Sequence, residues 1–517
     1  MRETDVLIVG AGPVGLTASI LLSRLGITHE VIEARSELHD APQAHVVSSR
    51  TMEILTRAAA SADADLRAAA TPFEQVPVVR WVDTLAGVEH GHFSLVTPER
   101  VAKMFAATPC PPANIPQHRF ERVLFAAATA AGGEVRFDQA WESSDDVDGG
   151  VRSTVRDLRT GEPGEIESRF VVACDGASSA VRREMGVAME GPSVVEAFTS
   201  VHLHADLRPV IGERPGLLFW CIGGAFRAWF VIHDIGEECV MMLSAEEGAP
   251  VMSEPDARAA VLAAVGAELD FEIVSIARWR MSSQVAEAFR AGRTFLAGDA
   301  AHRFPPTGGI GMNTGIADVH NLCWKLDEVL SGRADESLLD TYEVERRPVA
   351  LANAAQSLDN HRKMDEVEAA LAAGSGVTDA IAHQEEHFDM AGLDLGFRYV
   401  SNAVIDDHSP PPKVENRVTD VPQTTKPGYR LSHVAGMHDG SPTSTIDVAD
   451  YTSYTLAVGA ATGSWDGVAV PVVHAPGLGD DEALLVRPDG HVAWRSTGKP
   501  EDGATCVAAA LTQLRAI

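Results

Sequence analysis

The segment Asp5 to Glu33, DVLIVGAGPVGLTASILLSRLGITHEVIE, restricts the fold more than any other part of the chain. Val6 to Val9 is a short apolar run of strand length, rich in β-branched residues. Gly10, Gly12 and Gly15 follow it in G-x-G-x-x-G spacing. Leu16, Ile20 and Leu21 then mark a helix that ends at Gly26, and His29 to Ile32 is a second strand closing on the acid Glu33. Dinucleotide binding needs this order. The first glycine makes the tight turn, the second lets backbone approach a pyrophosphate, and the third lets helix pack on strand. The free N–H groups at the helix start then face the phosphates. Glu33 stands where a carboxylate takes the ribose hydroxyls. Pro13, Val14, Ala34 and Arg35 flank these residues and belong to the same expected site. The motif leaves open which dinucleotide is held and for what chemistry.

A chain of 517 residues allows two or three domains, and 45% hydrophobic content makes it globular. The 42 basic and 73 acidic residues leave a net charge of −31. Such a chain is repelled by a duplex or an anionic membrane, so neither nucleic acid nor lipid is expected as a partner. The six cysteines (Cys110, Cys174, Cys221, Cys239, Cys323 and Cys506) are scattered without a C-x-x-C pair. That argues against a disulfide framework and a zinc cage, and suits a reducing cytoplasm. Val6 to Leu22 is the longest apolar run, but its glycines and proline, and Glu3 and Asp5 before it, fit neither a signal nor a membrane span. No targeting segment is expected, so the default location is the cytoplasm.

The pattern predicts a helix over 117–131, a β-meander over 151–172 around the turn Thr160-Gly161, and helices from 315 to about 395. Segments 76–95 and 197–245 are strand-like and predict an inserted sheet that covers a substrate. Ser409 to Gly428 is rich in proline and polar residues and reads as a linker. Beyond it, strands near 454–458, 468–473, 483–487 and 491–495 and a helix at 503–515 form a small α/β unit.

Two further constellations follow the first. Phe170 to Arg182, FVVACDGASSAVR, is a strand ending at Asp175-Gly176. Its carboxylate suits a ribose or phosphate, or simply caps the next helix. Arg293 to Leu326 holds a buried strand, then Gly298-Asp299, then the loop Pro305 to Gly311 opening a helix near Met312. Backbone N–H groups at Gly309, Gly311, Met312 and Asn313 would face an anionic reduced isoalloxazine, and Asp299 would accept from ribitol hydroxyls.

The three motifs in this order resemble the class A FAD-dependent aromatic hydroxylases, the single-component flavoprotein monooxygenases. The stretches HRFPPTGGIGMNTGIADVHNLCWKL and PQAHVVSSRTMEIL look most like the phenol and chlorophenol branch. LLVRPDGHVAWRS resembles that branch's thioredoxin-like C-terminal domain; the domain here has no C-x-x-C, which implies packing or dimer contact and not redox chemistry. The resemblance implies an α/β fold: a Rossmann-like FAD-binding domain (1–75, 105–190 and 280–400), an inserted β-sheet substrate domain (76–104 and 191–279), a linker (401–428) and a thioredoxin-like domain (429–517). It implies FAD as cofactor, NADPH or NADH as transient reductant, and O₂ as co-substrate. An aromatic phenolic or hydroxy-heteroaromatic ring would be hydroxylated through a C4a-hydroperoxyflavin, with natural-product biosynthesis one setting. A homodimer is implied as well.

By the same resemblance, His45 lies where relatives place an active-site polar residue. An imidazole there can take a phenolic proton at neutral pH; the alternative is a loop hydrogen bond. Arg50 would hold the flavin or its phosphates, or be a solvated cation. Gln117 would contact the cofactor, or cap a helix. Many relatives carry arginine where this chain has Gln43, which puts flavin mobility or NADPH handling in doubt. Trp220, Phe226, Trp229, Trp279, Arg280 and Pro305 are candidate substrate contacts, although an aromatic stripe at strand spacing also serves as core. No metal is expected: His202-x-His204 and His90-x-His92 are same-face strand pairs with no third ligand in view. Two rival functions stay open, a flavin oxidase or oxygenase acting on a polycyclic intermediate, and a non-catalytic flavin-binding protein.

Overall fold

The computed structural model describes residues 1–223, 227–438, 441–459, 465, 467–480, 482–496 and 502–516. The Val6–Val9 run is buried on both faces, as a central parallel strand requires. It ends the strand Arg2–Val9, with Pro163–Ala173 on one side and His29–Ile32 on the other. Thr294–Leu296 extends the sheet past Pro163–Ala173, and Glu134–Arg136 extends it past His29–Ile32, all parallel. In register Val9 faces Ala173, and Ala173 faces Leu296. The three motif-bearing strands are therefore neighbours, and their carboxyl ends lie at one edge of the sheet. In open α/β sheets that edge holds the ligand crevice.

A seven-stranded sheet forms the second layer, in the order Phe271–Met281, Glu196–Ala205, Glu238–Ala245, Ala228–Asp234, Leu218–Cys221, Val78–Val82 and Glu89–Ser94. One face packs under the helix Glu254–Val265, through Val201, Phe230, Met241 and Val261 among others. The opposite face carries Trp81, Phe198, Trp220 and Trp229, covered by Val367, Val377 and Ile381.

The last unit is a four-stranded sheet ordered Val472–His474, Thr455–Val458, Ala483–Val486 and Val492–Arg495, closed by the helix Gly503–Arg515. The first of these strands is shorter than the 468–473 expected. This unit is bound to the rest by a buried ionic knot. Arg487 in the third strand's trailing turn donates to both oxygens of Glu345 (2.6 and 2.9 Å) on the helix Thr341–Ala372. It also bonds Asp489, while Lys325 donates to Glu345 at 2.8 Å. All four side chains are essentially without solvent contact. Among the described residues, no helix is long and apolar enough to cross a membrane.

Candidate active site

The three motifs meet through close backbone approaches. Gly10 has φ +105°, and a Cβ there would sit 2.4 Å from the Cys174 carbonyl oxygen; at Gly15 it would sit 1.9 Å from the Gly10 oxygen. The first and second motifs can touch only because Gly10 lacks a side chain, and the helix can close on the first turn only because Gly15 does. A Cβ on Gly298 would strike Val14, which brings the third motif onto the first helix. Around Gly12 the corresponding space is open, so backbone is accessible beside the start of the helix Pro13–Arg24.

Glu33 is buried and accepts from Ala11 N (2.8 Å) and from Arg35 N and Nε (both 3.0 Å). Burial alone would raise its pKa, but these bonds hold it below the usual carboxylate range, so it is an ionised acceptor beside the glycine turn. Ala34 next to it is exposed. Asp175 Oδ2 accepts from Ala180 N (2.7 Å) and Val181 N (3.2 Å), the capping role left open above. Its Oδ1 is buried with no hydrogen-bond partner among the described residues. Asp299 is open to solvent but flanked closely enough by protein that desolvation raises its pKa. The helix Gly311–Leu330 begins beside it, and the N–H groups of Gly311, Met312 and Asn313 precede its first backbone bond, Thr314 N to Ile310 O. An open glycine turn, an orphaned buried acceptor, an accessible acid and a free helix start match the phosphate, ribose, ribitol and ring ends of FAD. The residues present fit that cofactor.

Asn313 ties this cradle to the loop of His45. Its Nδ2 donates to the carbonyls of Val46 (2.9 Å) and Gly309 (2.7 Å), and its Oδ1 accepts from Ser48 N and Thr51 Oγ1. The backbone of Ala44 and His45 is pinned by Gln117 N and Ile115 N, each at 2.8 Å. Gln117 also receives Ala44 N on its side-chain oxygen, so it shapes the His45 loop. His45 Nδ1 lies 2.8 Å from Asn114 Oδ1. The Asn114 amide has one orientation, because its Nδ2 donates to the Ile232 carbonyl (3.2 Å) and to Thr71 Oγ1 (2.9 Å), while Thr71 Oγ1 donates to the His233 carbonyl. His45 Nδ1 therefore carries the proton, and Nε2 keeps a lone pair with no partner among the described residues. Burial holds the His45 pKa below 6.5, with the Asn114 bond opposing it. Across from it stands His233, rings 5.7 Å apart. The strand register shifts between Ile232 and Asp234, and this bulge leaves His233 without a cross-strand partner.

The remaining candidates separate. Trp220 and Trp229 pack with ring centroids 5.1 Å apart, tilted by 36°, and lie buried with Phe198 under Val367 and Ile381, so their rings serve as core. Trp279 packs on Phe198 at 4.6 Å and donates to Ser200 Oγ. Arg280 corrects the expectation that it shares a pocket with Trp279. It is exposed and pairs with Ala197 while Trp279 pairs with Phe198, so alternation puts it on the other face. Arg50 is buried, and its guanidinium donates to Glu53 (2.8 Å) and to the Asp489 carbonyl (2.6 Å), because the C-terminal unit packs over that helix. Pro305 is buried in the loop before the long helix, and Phe226 lies outside the described residues. The sequence reading missed Asn114, Thr71 and His233, and also Asp318, whose buried carboxylate bonds His302 and Arg346 behind the third motif. An acid in the apolar pattern of 311–330 was the visible signal for the last.

Residues 3–357 match the family model of the FAD binding domain, and residues 424–515 match that of the aromatic-ring hydroxylase C-terminal domain. The chain belongs to the FAD-dependent aromatic-ring hydroxylases. This hydroxylase is 31% identical to the 2,4-dichlorophenol 6-monooxygenase of Cupriavidus pinatubonensis (strain JMP 134 / LMG 1197), over 99% of its own length and 96% of the relative's. Its fold is similar to that of the flavin-dependent monooxygenase PieE, solved with FAD and substrate, with a TM-score of 0.92, 29% identity and 99% of each chain covered. It is also similar to an aklavinone-11 hydroxylase solved with FAD and aklavinone, with a TM-score of 0.86, 30% identity and 100% and 99% coverage. The enzyme is thus an FAD-dependent monooxygenase of an aromatic substrate.

Proposed function

We propose that the hydroxylase adds one oxygen atom to a ring bearing a phenolic or hydroxy-heteroaromatic hydroxyl, with His45 as the base that ionises that hydroxyl. The observation that carries this reading is the free Nε2 lone pair of His45, held neutral between the cofactor cradle and the seven-stranded sheet. Gly10, Gly12, Pro13, Val14, Gly15, Glu33, Ala34 and Arg35 would hold the ADP end of FAD, Asp175 and Asp299 its middle, and Gly309, Gly311, Met312 and Asn313 the ring end. When bound, FAD supplies the redox chemistry, activating O₂ with electrons from NADPH or NADH. The protein's own work is to bind the ring, exclude water and move one proton. His45 Nε2 accepts the hydroxyl proton, and the resulting oxyanion pushes charge onto the ring carbon to be attacked. Asn114 and Thr71 keep the imidazole in the tautomer that can do this, and the sheet carrying His233 forms the substrate side. The six cysteines are free thiols, which suits a cytoplasmic enzyme, and a homodimer is the expected assembly.

A screen of NADPH and NADH oxidation tests the reading, using simple phenols, hydroxypyridines and polycyclic phenols with mass analysis of products. The expected result is stimulated oxidation and a product heavier by one oxygen. A polycyclic substrate is the second reading, supported by the similarity to the aklavinone complex. No stimulation by any phenol would favour a non-catalytic flavin protein. Asn114→Asp probes the tautomer. A carboxylate on Nδ1 favours the imidazolium, so the acid limb of kcat should move to higher pH. An unmoved limb would contradict the assigned hydrogen bond.

A further inference from the structure

On the sheet face that carries His233, three side chains converge that the reaction does not use. His202 and His204 are two apart on Glu196–Ala205 and so point the same way, and the antiparallel register sets Glu238 directly opposite His204. One ligand atom from each of these three residues lies within 4.8 Å of the other two. His202 Nε2 is 2.9 Å from Glu238 Oε1, and His118 Nε2, from the start of the helix Gln117–Ala130, is 3.4 Å from the same oxygen. Arg119 donates to the other oxygen, Oε2, at 2.7 Å. The guanidinium thus fixes the carboxylate so that Oε1 alone faces the imidazoles, the orienting role that outer partners play around metal ligands. His202 and Glu238 are buried while His204 is exposed, which leaves a path for an ion from solvent.

We infer that His202, His204 and Glu238 form a binding site for a borderline divalent cation of the Zn²⁺ class. Two imidazoles and one carboxylate oxygen are a donor set that Zn²⁺ takes readily, with a fourth position left for water or for His118. Tetrahedral Zn–N and Zn–O bonds of roughly 2.0–2.2 Å fit ligand atoms spaced this closely after a small opening of the His202–Glu238 contact. The ion would tie the strands Glu196–Ala205 and Glu238–Ala245 together beside the helix Gln117–Ala130. The other histidine pair lacks this geometry: His90 bonds Asp83 and His92 bonds Glu89, each at 2.7 Å.

The test is a Zn²⁺ titration of the full-length, FAD-loaded enzyme, freed of any affinity tag and of metal by chelation, against a competing chromophoric chelator. One Zn²⁺ per chain is expected. His204→Ala, an exposed change that leaves the fold intact, should weaken binding at least tenfold, because even outer-shell partners are worth roughly 10–100-fold. His202→Ala should weaken it as well, and His92→Ala should leave it unchanged. Absence of stoichiometric binding would overturn the inference. So would wild-type affinity in His204→Ala, or an equal loss in His92→Ala, which would mean scattered surface histidines.

Discussion

His45→Ala should lower kcat by about 10²–10⁴-fold, the usual worth of a positioned general base, with FAD content unchanged. The pH profile separates this from a loss of shape. Burial depresses the His45 pKa below 6.5, so the wild-type base is neutral and competent at neutral pH. Activity is lost only as pH falls through that depressed pKa, when Nε2 takes its own proton. Without the imidazole, the acid limb disappears. The residual rate should climb with pH as the substrate hydroxyl ionises unaided, near pH 10 for a simple phenol. Steady-state kcat between pH 5 and 10 is the measurement. The same acid limb in the alanine variant would remove His45 from the proton transfer.

Arg487→Ala should cost about 3–5 kcal/mol, because it strands the carboxylates of Glu345 and Asp489 in the interior. Both are held far below the usual carboxylate range chiefly by Arg487, against the opposing effect of burial. Removing the guanidinium leaves only Lys325 and His491 to balance them, and burial brings their own pKa values down to about 8 and about 4. Since the knot joins the C-terminal strands to the helix Thr341–Ala372, that unit should loosen first. The variant should show early proteolytic cleavage after residue 400 and a lower thermal midpoint. Unchanged protease resistance would mean that packing of Trp324 on Tyr454, not the knot, holds the unit.

The parts legible in the sequence were those set by neighbours in the chain. The strand, glycine turn and helix of 2–24 follow from local pattern, as do the helix Gln117–Ala130 and the final helix Gly503–Arg515. Adjacency of the three motifs followed from resemblance, and the parallel register explains it. What stayed hidden depends on partners far along the chain. Asn114 selects the His45 tautomer from 69 residues away, and Glu238 joins His202 and His204 only through strand register. Arg50 reads locally as a flavin or phosphate ligand, or a solvated cation, because nothing nearby in the chain indicates that the Asp489 carbonyl, 439 residues on, receives it. Nothing in the local sequence around Asp489 indicates its burial in an ionic knot. Trp279 and Arg280 are different: strand alternation alone forbids adjacent residues from lining one pocket, so that distinction was available from the sequence.

Turnover under ¹⁸O₂ with a phenol that stimulates NADPH or NADH oxidation tests the central claim most directly. The account predicts one labelled oxygen atom in the product ring for each reductant consumed in coupled turnover. Reductant consumption that yields only hydrogen peroxide, or product whose new oxygen comes from water, would contradict it.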